Sequence, residues 1–351
     1  MQTIIRSTDI DNIDIEVIKL ASEFLHSGDM VAFPTETVYG LGANALDELA
    51  SAKIYEAKGR PSDNPLIVHV ANEEQVKRLV KEIPESAKKL MKAFWPGPLT
   101  LIFKKSDIVP KGTTGGLDTV AVRMPDHKIA LKLIEYSDVV IAAPSANTSG
   151  RPSPTTASHV KDDLDGRISM IIDGGAVGIG IESTIVDVTE EIPMILRPGY
   201  ISKKMLEEVV GKVEIDKAII EPMREDVKPK APGMKYRHYA PKADFKMVRG
   251  DVLKVADYIN KKTEKLIEQG YKVGIIASDE TISNYILGDK VSIGSRLDEL
   301  TISRNLYTIL RDFDDKEVDY IFGETFESEE LGHAIMNRLQ KAAGYNIVDV
   351  R

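Results

Sequence analysis

Residues 33–70, FPTETVYGLGANALDELASAKIYEAKGRPSDNPLIVHV, decide the reading of this chain. Val31-Ala32-Phe33 closes a buried strand predicted over 30–33, and Pro34-Thr35-Glu36-Thr37 breaks the apolar run with hydroxyls that can face a ligand. Gly40-Leu41-Gly42-Ala43-Asn44-Ala45 then places glycines where backbone turns tightly or comes close to another group. A helix follows: Asp47 is suited to cap it, Leu49, Ile54 and Tyr55 recur at roughly helical spacing, and Gly59 stops it. A strand over 66–70 carries His69.

The glycine hexapeptide also fits G-x-G-x-x-A, the dinucleotide-binding fingerprint, which must follow a strand directly and open a helix. Here Pro34 and a polar loop intervene, and no acidic residue closes a second strand at the required distance. A nicotinamide-binding oxidoreductase is therefore the poorer reading, and glycines that only make a turn are the plainer one. Lys58 and Arg60, two cations at a helix end, ordinarily form a solvated face matched to the helix dipole. Against that stands the density of Thr35, Thr37, Lys58, Arg60, Asn64 and His69 around one helix. A second run agrees: the apolar strand 139–143 ends in Pro144-Ser145-Ala146-Asn147-Thr148-Ser149-Gly150, and strand ends of this kind build ligand sites in open sheets. Within the strand 119–124, Arg123 alternates with apolar residues, so it either faces solvent or turns its planar fork to a carboxylate.

Lys58-x-Arg60 together with Ser145-x-Asn147, the loop Pro34-Thr35-Glu36-Thr37-Val38-Tyr39-Gly40-Leu41-Gly42, and Trp95-Pro96-Gly97-Pro98-Leu99-Thr100 resemble the YrdC-type threonylcarbamoyl-AMP synthases. The last third of the chain is similar to the extra domain of their two-domain long form. The resemblance implies an α/β protein with a YrdC-like twisted mixed open sheet with helices over residues 1–211. A linker or lid over 212–243 and a smaller Rossmann-like parallel α/β domain over 244–351 complete it. It implies a nucleotidyltransferase that turns L-threonine, bicarbonate and ATP into threonylcarbamoyl-AMP and pyrophosphate, for N6-threonylcarbamoyladenosine in tRNAs that read ANN codons. Mg²⁺ would enter with ATP, bicarbonate would be a co-substrate, and the product would pass to the tRNA threonylcarbamoyl transferase complex. Carried over residue by residue, Lys58, Arg60, Ser145 and Asn147 would act at the phosphates, with Asn64, Thr119, Ser153, Arg197 and Tyr236 as further nucleotide contacts. Thr37, His69, Arg123, Ala143 and Ser183 would form the threonine site, Arg123 holding the carboxylate. A carbamate oxygen would attack the α-phosphate, so no protein nucleophile is needed, and catalysis rests on positioning and charge stabilisation.

Composition bounds these readings. A chain of 351 residues with 42% apolar content suits two domains, each with its own core. With 0 cysteines there is no disulfide framework, thiolate metal site or cysteine nucleophile. The 6 histidines form no H-x-H or H-x-x-x-H pair, so no metal site built from protein side chains is expected, and Mg²⁺ held through substrate phosphates stays open. The opening residues have no apolar signal core and no run is long enough to span a bilayer, so a cytoplasmic protein without membrane contact is expected. A net charge of -9 disfavours a chain whose main task is to neutralise a nucleic-acid backbone. It leaves a locally basic groove open, and a double-stranded RNA-binding module, or weaker contact with tRNA, is the alternative from another class.

Charges and prolines replace apolar periodicity over 221–230, which reads as linker. Next to it, Pro232-Gly233-Met234-Lys235-Tyr236-Arg237-His238-Tyr239-Ala240-Pro241 has two tyrosines, a histidine and two cations, more than a passive tether needs, and is expected to dock as a lid. Strand 245–248, helix 252–268 and strand 272–277 then predict a parallel α/β unit without a phosphate loop.

Overall fold

The computed structural model describes residues 2–219, 229–232, 238–326 and 331–350. These fall into two compact units. The first holds the described residues up to Ser149 and from Ser153 to Pro232; the second holds Gly150–Pro152 and the described residues from His238 on. Of the linker, residues 221–228 lie outside the described residues, as do 233–237 of the candidate lid, Tyr236 among them.

In the first unit, eleven described strands form one mixed sheet. They are β1 (Ile4–Ser7), β2 (Val31–Phe33), β3 (Gly40–Asn44), β4 (Ile67–His69), β5 (Leu99–Lys104), β6 (Thr119–Arg123), β7 (Ile141–Ala142), β8 (Met170–Asp173), β9 (Thr184–Asp187), β10 (Met194–Arg197) and β11 (Glu214–Ile215). Their spatial order is β1-β8-β2-β3-β7-β4-β6-β5-β9-β10-β11.

Side-chain alternation divides this sheet into two unlike faces. On one, Ala32, Leu41, Val68, Leu101, Val122, Ala142 and Val186 join a large core. The helices α2 (Glu48–Lys58), α3 (Glu73–Leu79), α4 (Glu85–Phe94), α6 (Ala157–Leu164) and α7 (Lys203–Val210) contribute their apolar residues to it. On the other face, α1 (Ile15–His26) and α5 (Lys128–Ser137) pack on Val31, Phe33, Ile141, Met170 and Ile172. Further along that face, Ile67, Ile102, Ala121, Ile185 and Leu196 form a small cluster with no helical member. The candidate site lies there.

Helix α2 forms as its ends predict. The Asp47 side chain accepts from the backbone N–H groups of Leu49 and Ala50, a cap worth about 1 kcal/mol. Gly59 closes the helix at φ 59°, a left-handed conformation that costs glycine little.

Of the two roles open to its glycines, Gly40–Asn44 shows close approach: it is no turn but a strand, antiparallel to β2 with Gly42 opposite Val31. Its glycines answer to crowding, since a Cβ on Gly42 would lie 2.6 Å from Ile141 Cγ2 and 2.7 Å from the Phe33 ring. This also disposes of the dinucleotide fingerprint, which needs a glycine turn opening a helix. The strand expected over 139–143 shrinks to Ile141–Ala142, because α5 ends only at Ser137 with Asp138 left-handed. Strand β1 and helix α6 give no strong sequence signal and are found only in the structure.

The second unit is a five-stranded parallel sheet. Its strands are β12 (Asp244–Gly250), β13 (Val273–Ala277), β14 (Asp289–Ser292), β15 (Tyr320–Glu324) and β16 (Ile347–Val350), in the order β14-β13-β15-β12-β16. Helices α8 (Val252–Glu268), α9 (Glu299–Asp315) and α10 (Leu331–Ala342) connect them, as the strand, helix, strand pattern predicts. No helix among the described residues is long and apolar enough to cross a membrane.

Candidate active site

Strand register assembles the site. His69 of β4 lies opposite Arg123 of β6, which lies opposite Thr100 of β5, so three polar side chains form one row. One step along, Ile67, Ala121 and Ile102 form the next row and the apolar floor. Ala231, fully buried, joins that floor from the segment immediately before the candidate lid.

The loop between β2 and β3 closes over this row. Arg123 Nη1 donates to Thr37 Oγ1 at 2.9 Å, Thr37 and Thr35 hydroxyls lie 2.9 Å apart, and Thr35 Oγ1 donates to Val38 O at 2.7 Å. Each hydroxyl in this chain can both accept and donate, so the loop and the arginine orient one another. Backbone bonds fix the loop on both sides: Ile179 N donates to Glu36 O, Gly180 N to Thr37 O, and Ala146 N to Tyr39 O.

Arg123 is 4% exposed, so it does not face solvent. Its Nη2 lies 2.7 Å from Glu36 Oε2, an ion-pair distance, yet the two are not aligned as a hydrogen bond. Nε and Nη2, the side-on edge of the guanidinium, are buried without a hydrogen-bond partner, as are both carboxylate oxygens of Glu36 and Nδ1 of His127. Buried polar atoms seldom go unsatisfied, so this concentration makes the row a candidate ligand site. His69, 3% exposed and edge-on to Phe33, has its pKa lowered to about 3, first by burial and then by the Arg123 charge. It is a neutral imidazole at physiological pH. The same causes lower His127 to about 4 against an opposing pull from Glu36.

Lys58 and Arg60 are 3% and 9% exposed, so they are not a solvated helix end. Lys58 Nζ donates to the backbone carbonyls of Ser145 and Asn147, and Ser145 Oγ donates to Asn147 Oδ1 at 2.5 Å. The lysine therefore ties the end of α2 to the Ser145–Asn147 turn. Arg60 Nη2 donates to Pro65 O at 3.0 Å, beside Asn64, whose buried Oδ1 has no donor. Thr119 stands at the start of β6, about 13 Å along the strand from Arg123. It therefore lies outside the Arg123 row.

Across β5, Arg197 Nε and Nη2 donate to Ser183 O at 3.0 Å and Oγ at 3.1 Å, and Ser183 Oγ lies 2.7 Å from Thr100 Oγ1. Gly199 permits this, since a Cβ there would lie 2.4 Å from Thr184 N. Ser153 Oγ donates to Glu182 Oε1 at 2.5 Å, next to Ser183. Ala143 N donates to Ile67 O at 2.8 Å, placing that backbone beside the floor. Glu36, Thr100 and His127 were not singled out from sequence. Glu36 had the available signal, a charge between two hydroxyls in the loop. Lys58, Arg60, Arg123 and Arg197 are buried, so these four cations do not line an open basic groove of the kind a double-stranded RNA reader would use.

A family model described as telomere recombination matches residues 23–199, and one described as threonylcarbamoyl-AMP synthase, C-terminal domain, matches 201–344. The chain is 53% identical to a threonylcarbamoyl-AMP synthase of Pyrococcus abyssi, over 95% of this chain and 96% of that one. It is 49% identical to one of Bacillus subtilis, over 94% of each. A crystal structure of P. abyssi Sua5 complexed with L-threonine superposes with a TM-score of 0.93 at 51% identity, covering 99% of this chain and 100% of that one.

Proposed function

The chain belongs to the threonylcarbamoyl-AMP synthase family in its two-domain form, and on that premise we propose how its site makes threonylcarbamoyl-AMP from L-threonine, bicarbonate and ATP. The observation that carries the reading is the buried Nε/Nη2 edge of Arg123, pre-oriented through Nη1 and without a hydrogen-bond partner of its own. Such an edge matches a carboxylate bidentately. Threonine's carboxylate sits on it, with Thr37, His69, Ser183 and the Ala143 backbone around the rest of the amino acid. Neutral His69 meets the threonine hydroxyl without repelling an ammonium, a choice that burial and Arg123 together enforce.

ATP takes the other side of the face. Lys58, Arg60, Ser145 and Asn147 lie at its phosphates, with Asn64, Thr119, Ser153, Arg197 and Tyr236 as further contacts. The Asn64 Oδ1 acceptor is available to a nucleotide N–H or O–H group. Mg²⁺ would enter with ATP, held mainly through its phosphates. The threonine amine and bicarbonate condense to a carbamate with loss of water. A carbamate oxygen then attacks the α-phosphate and pyrophosphate leaves, its charge met by fixed cations. The product goes in the cytoplasm to the tRNA threonylcarbamoyl transferase complex.

The test is incubation with ATP, labelled bicarbonate and each amino acid in turn, with the adenylate identified by mass. Threonine alone should give a labelled adenylate with stoichiometric pyrophosphate. Equal yield with serine, or none with any amino acid, overturns the reading.

A further inference from the structure

We propose that Glu36 is the amino-group receptor of the site, so that Glu36 and Arg123 together recognise an α-amino acid as a zwitterion. The inference rests on the reading of Arg123 as the carboxylate anchor.

The Glu36 side chain is 12% exposed, and both its oxygens are buried without a hydrogen bond. A carboxylate accepts bonds at two oxygens and donates none when ionised. Desolvating it without donors is costly, and one off-axis ion pair answers only part of that cost. Its position is fixed rather than incidental, because its own carbonyl is held by Ile179 N at 2.8 Å and the next residue is bonded to Arg123.

Charge counting identifies the missing donor. Alone, Glu36 and Arg123 balance. A second carboxylate arriving on the Nε/Nη2 edge, which has an ion pair to Glu36 but no hydrogen bond, leaves two anions on one guanidinium, beside imidazoles that burial keeps neutral at His69 and His127. An α-ammonium restores neutrality and brings three donors to the two unsatisfied oxygens. In an amino acid it is carried on the carbon next to the carboxylate, so a group seated on Nε and Nη2 can turn its ammonium to the Nη2 side of that edge. Glu36 Oε2 lies on that side, 2.7 Å from Nη2. The pair therefore selects ligands that carry both charges on one carbon, and it discriminates against hydroxy acids that offer the carboxylate alone.

Calorimetry on the full chain tests this with L-threonine and its amine-free analogue 3-hydroxybutyrate, each against wild type, Glu36→Gln and Glu36→Asp. Thermal unfolding without ligand accompanies each titration. Glu36→Gln should weaken threonine at least tenfold without weakening 3-hydroxybutyrate, while Glu36→Asp, which keeps the charge, should recover part of the loss. Unchanged threonine binding in Glu36→Gln overturns the proposal. So does equal tightening of both ligands, which would make Glu36 only a competitor for Arg123. If Glu36→Gln fails to fold, Glu36→Asp decides: the proposal needs its loss to be confined to threonine, and an equal loss for both ligands overturns it. Failure of wild type to bind threonine at all would sink the Arg123 reading itself, a result distinct from any of these.

Discussion

Replacing Arg123 with lysine separates the two halves of the site. The native guanidinium spends Nη1 on Thr37 at 2.9 Å and leaves Nε and Nη2 without a hydrogen bond, the edge proposed for the substrate carboxylate beside Glu36. Lysine retains the positive charge but offers one point of attachment, so it cannot hold Thr37 and both carboxylate oxygens in the same geometry. One charge-assisted hydrogen bond, about 1.5 to 3 kcal/mol, is lost from the complex. That corresponds to threonine affinity falling about 10- to 150-fold at 1.4 kcal/mol per decade. Thr37 keeps its contact with Thr35 at 2.9 Å, so the loop stays in place and ATP affinity should change by less than about threefold. Titration calorimetry with each ligand separately reads both numbers. Lost ATP affinity with threonine binding intact would move Arg123 to the phosphates and refute the reasoning.

Lys58→Ala should lower kcat/KM by about 2 to 4 kcal/mol of transition-state stabilisation, measured as threonine-dependent pyrophosphate release. Wild-type turnover would leave the lysine only its structural role at the Ser145–Asn147 turn. Because His69 has its pKa lowered from 6.5 to about 3, the unfolded chain takes up a proton that the folded chain refuses as pH falls below 6.5. Stability from this group is complete above 6.5 and declines toward pH 3, with about 2 kcal/mol gone at pH 5. Denaturant titrations of His69→Asn at pH 7 and 5 should show a smaller acid loss than wild type, and an equal loss would place the burden on other groups. Burial of Ala231 in the floor of the site leads directly into the candidate lid, so ATP plus threonine should slow proteolysis after Lys235 and Arg237. Identical cleavage rates with and without ligands would leave that segment a tether.

Much of this protein is written locally. Asp47 and Gly59 bound a helix whose ends depend on neighbours a few residues away, and α1 and α8 follow from their own apolar spacing and caps. The motifs that carry the family resemblance are likewise contiguous, and they name most of the side chains that the sheet gathers. What sequence left open turns on pairing between distant segments. Gly40–Asn44 is a strand because Val31–Phe33 lies beside it, and its glycines are needed because Phe33 and Ile141 leave no room for a Cβ. The same limit governs charge. Lys58 is buried because carbonyls 87 and 89 residues away receive it, and Arg123 faces the site because register sets it between His69 and Thr100. Strand alternation allows an arginine on either face, and only the assembled sheet decides which face meets solvent. Glu36 is the extreme case: as a letter it is an ordinary loop acid, and the burial that leaves it with an off-axis ion pair and no hydrogen bond exists only once the fold is assembled.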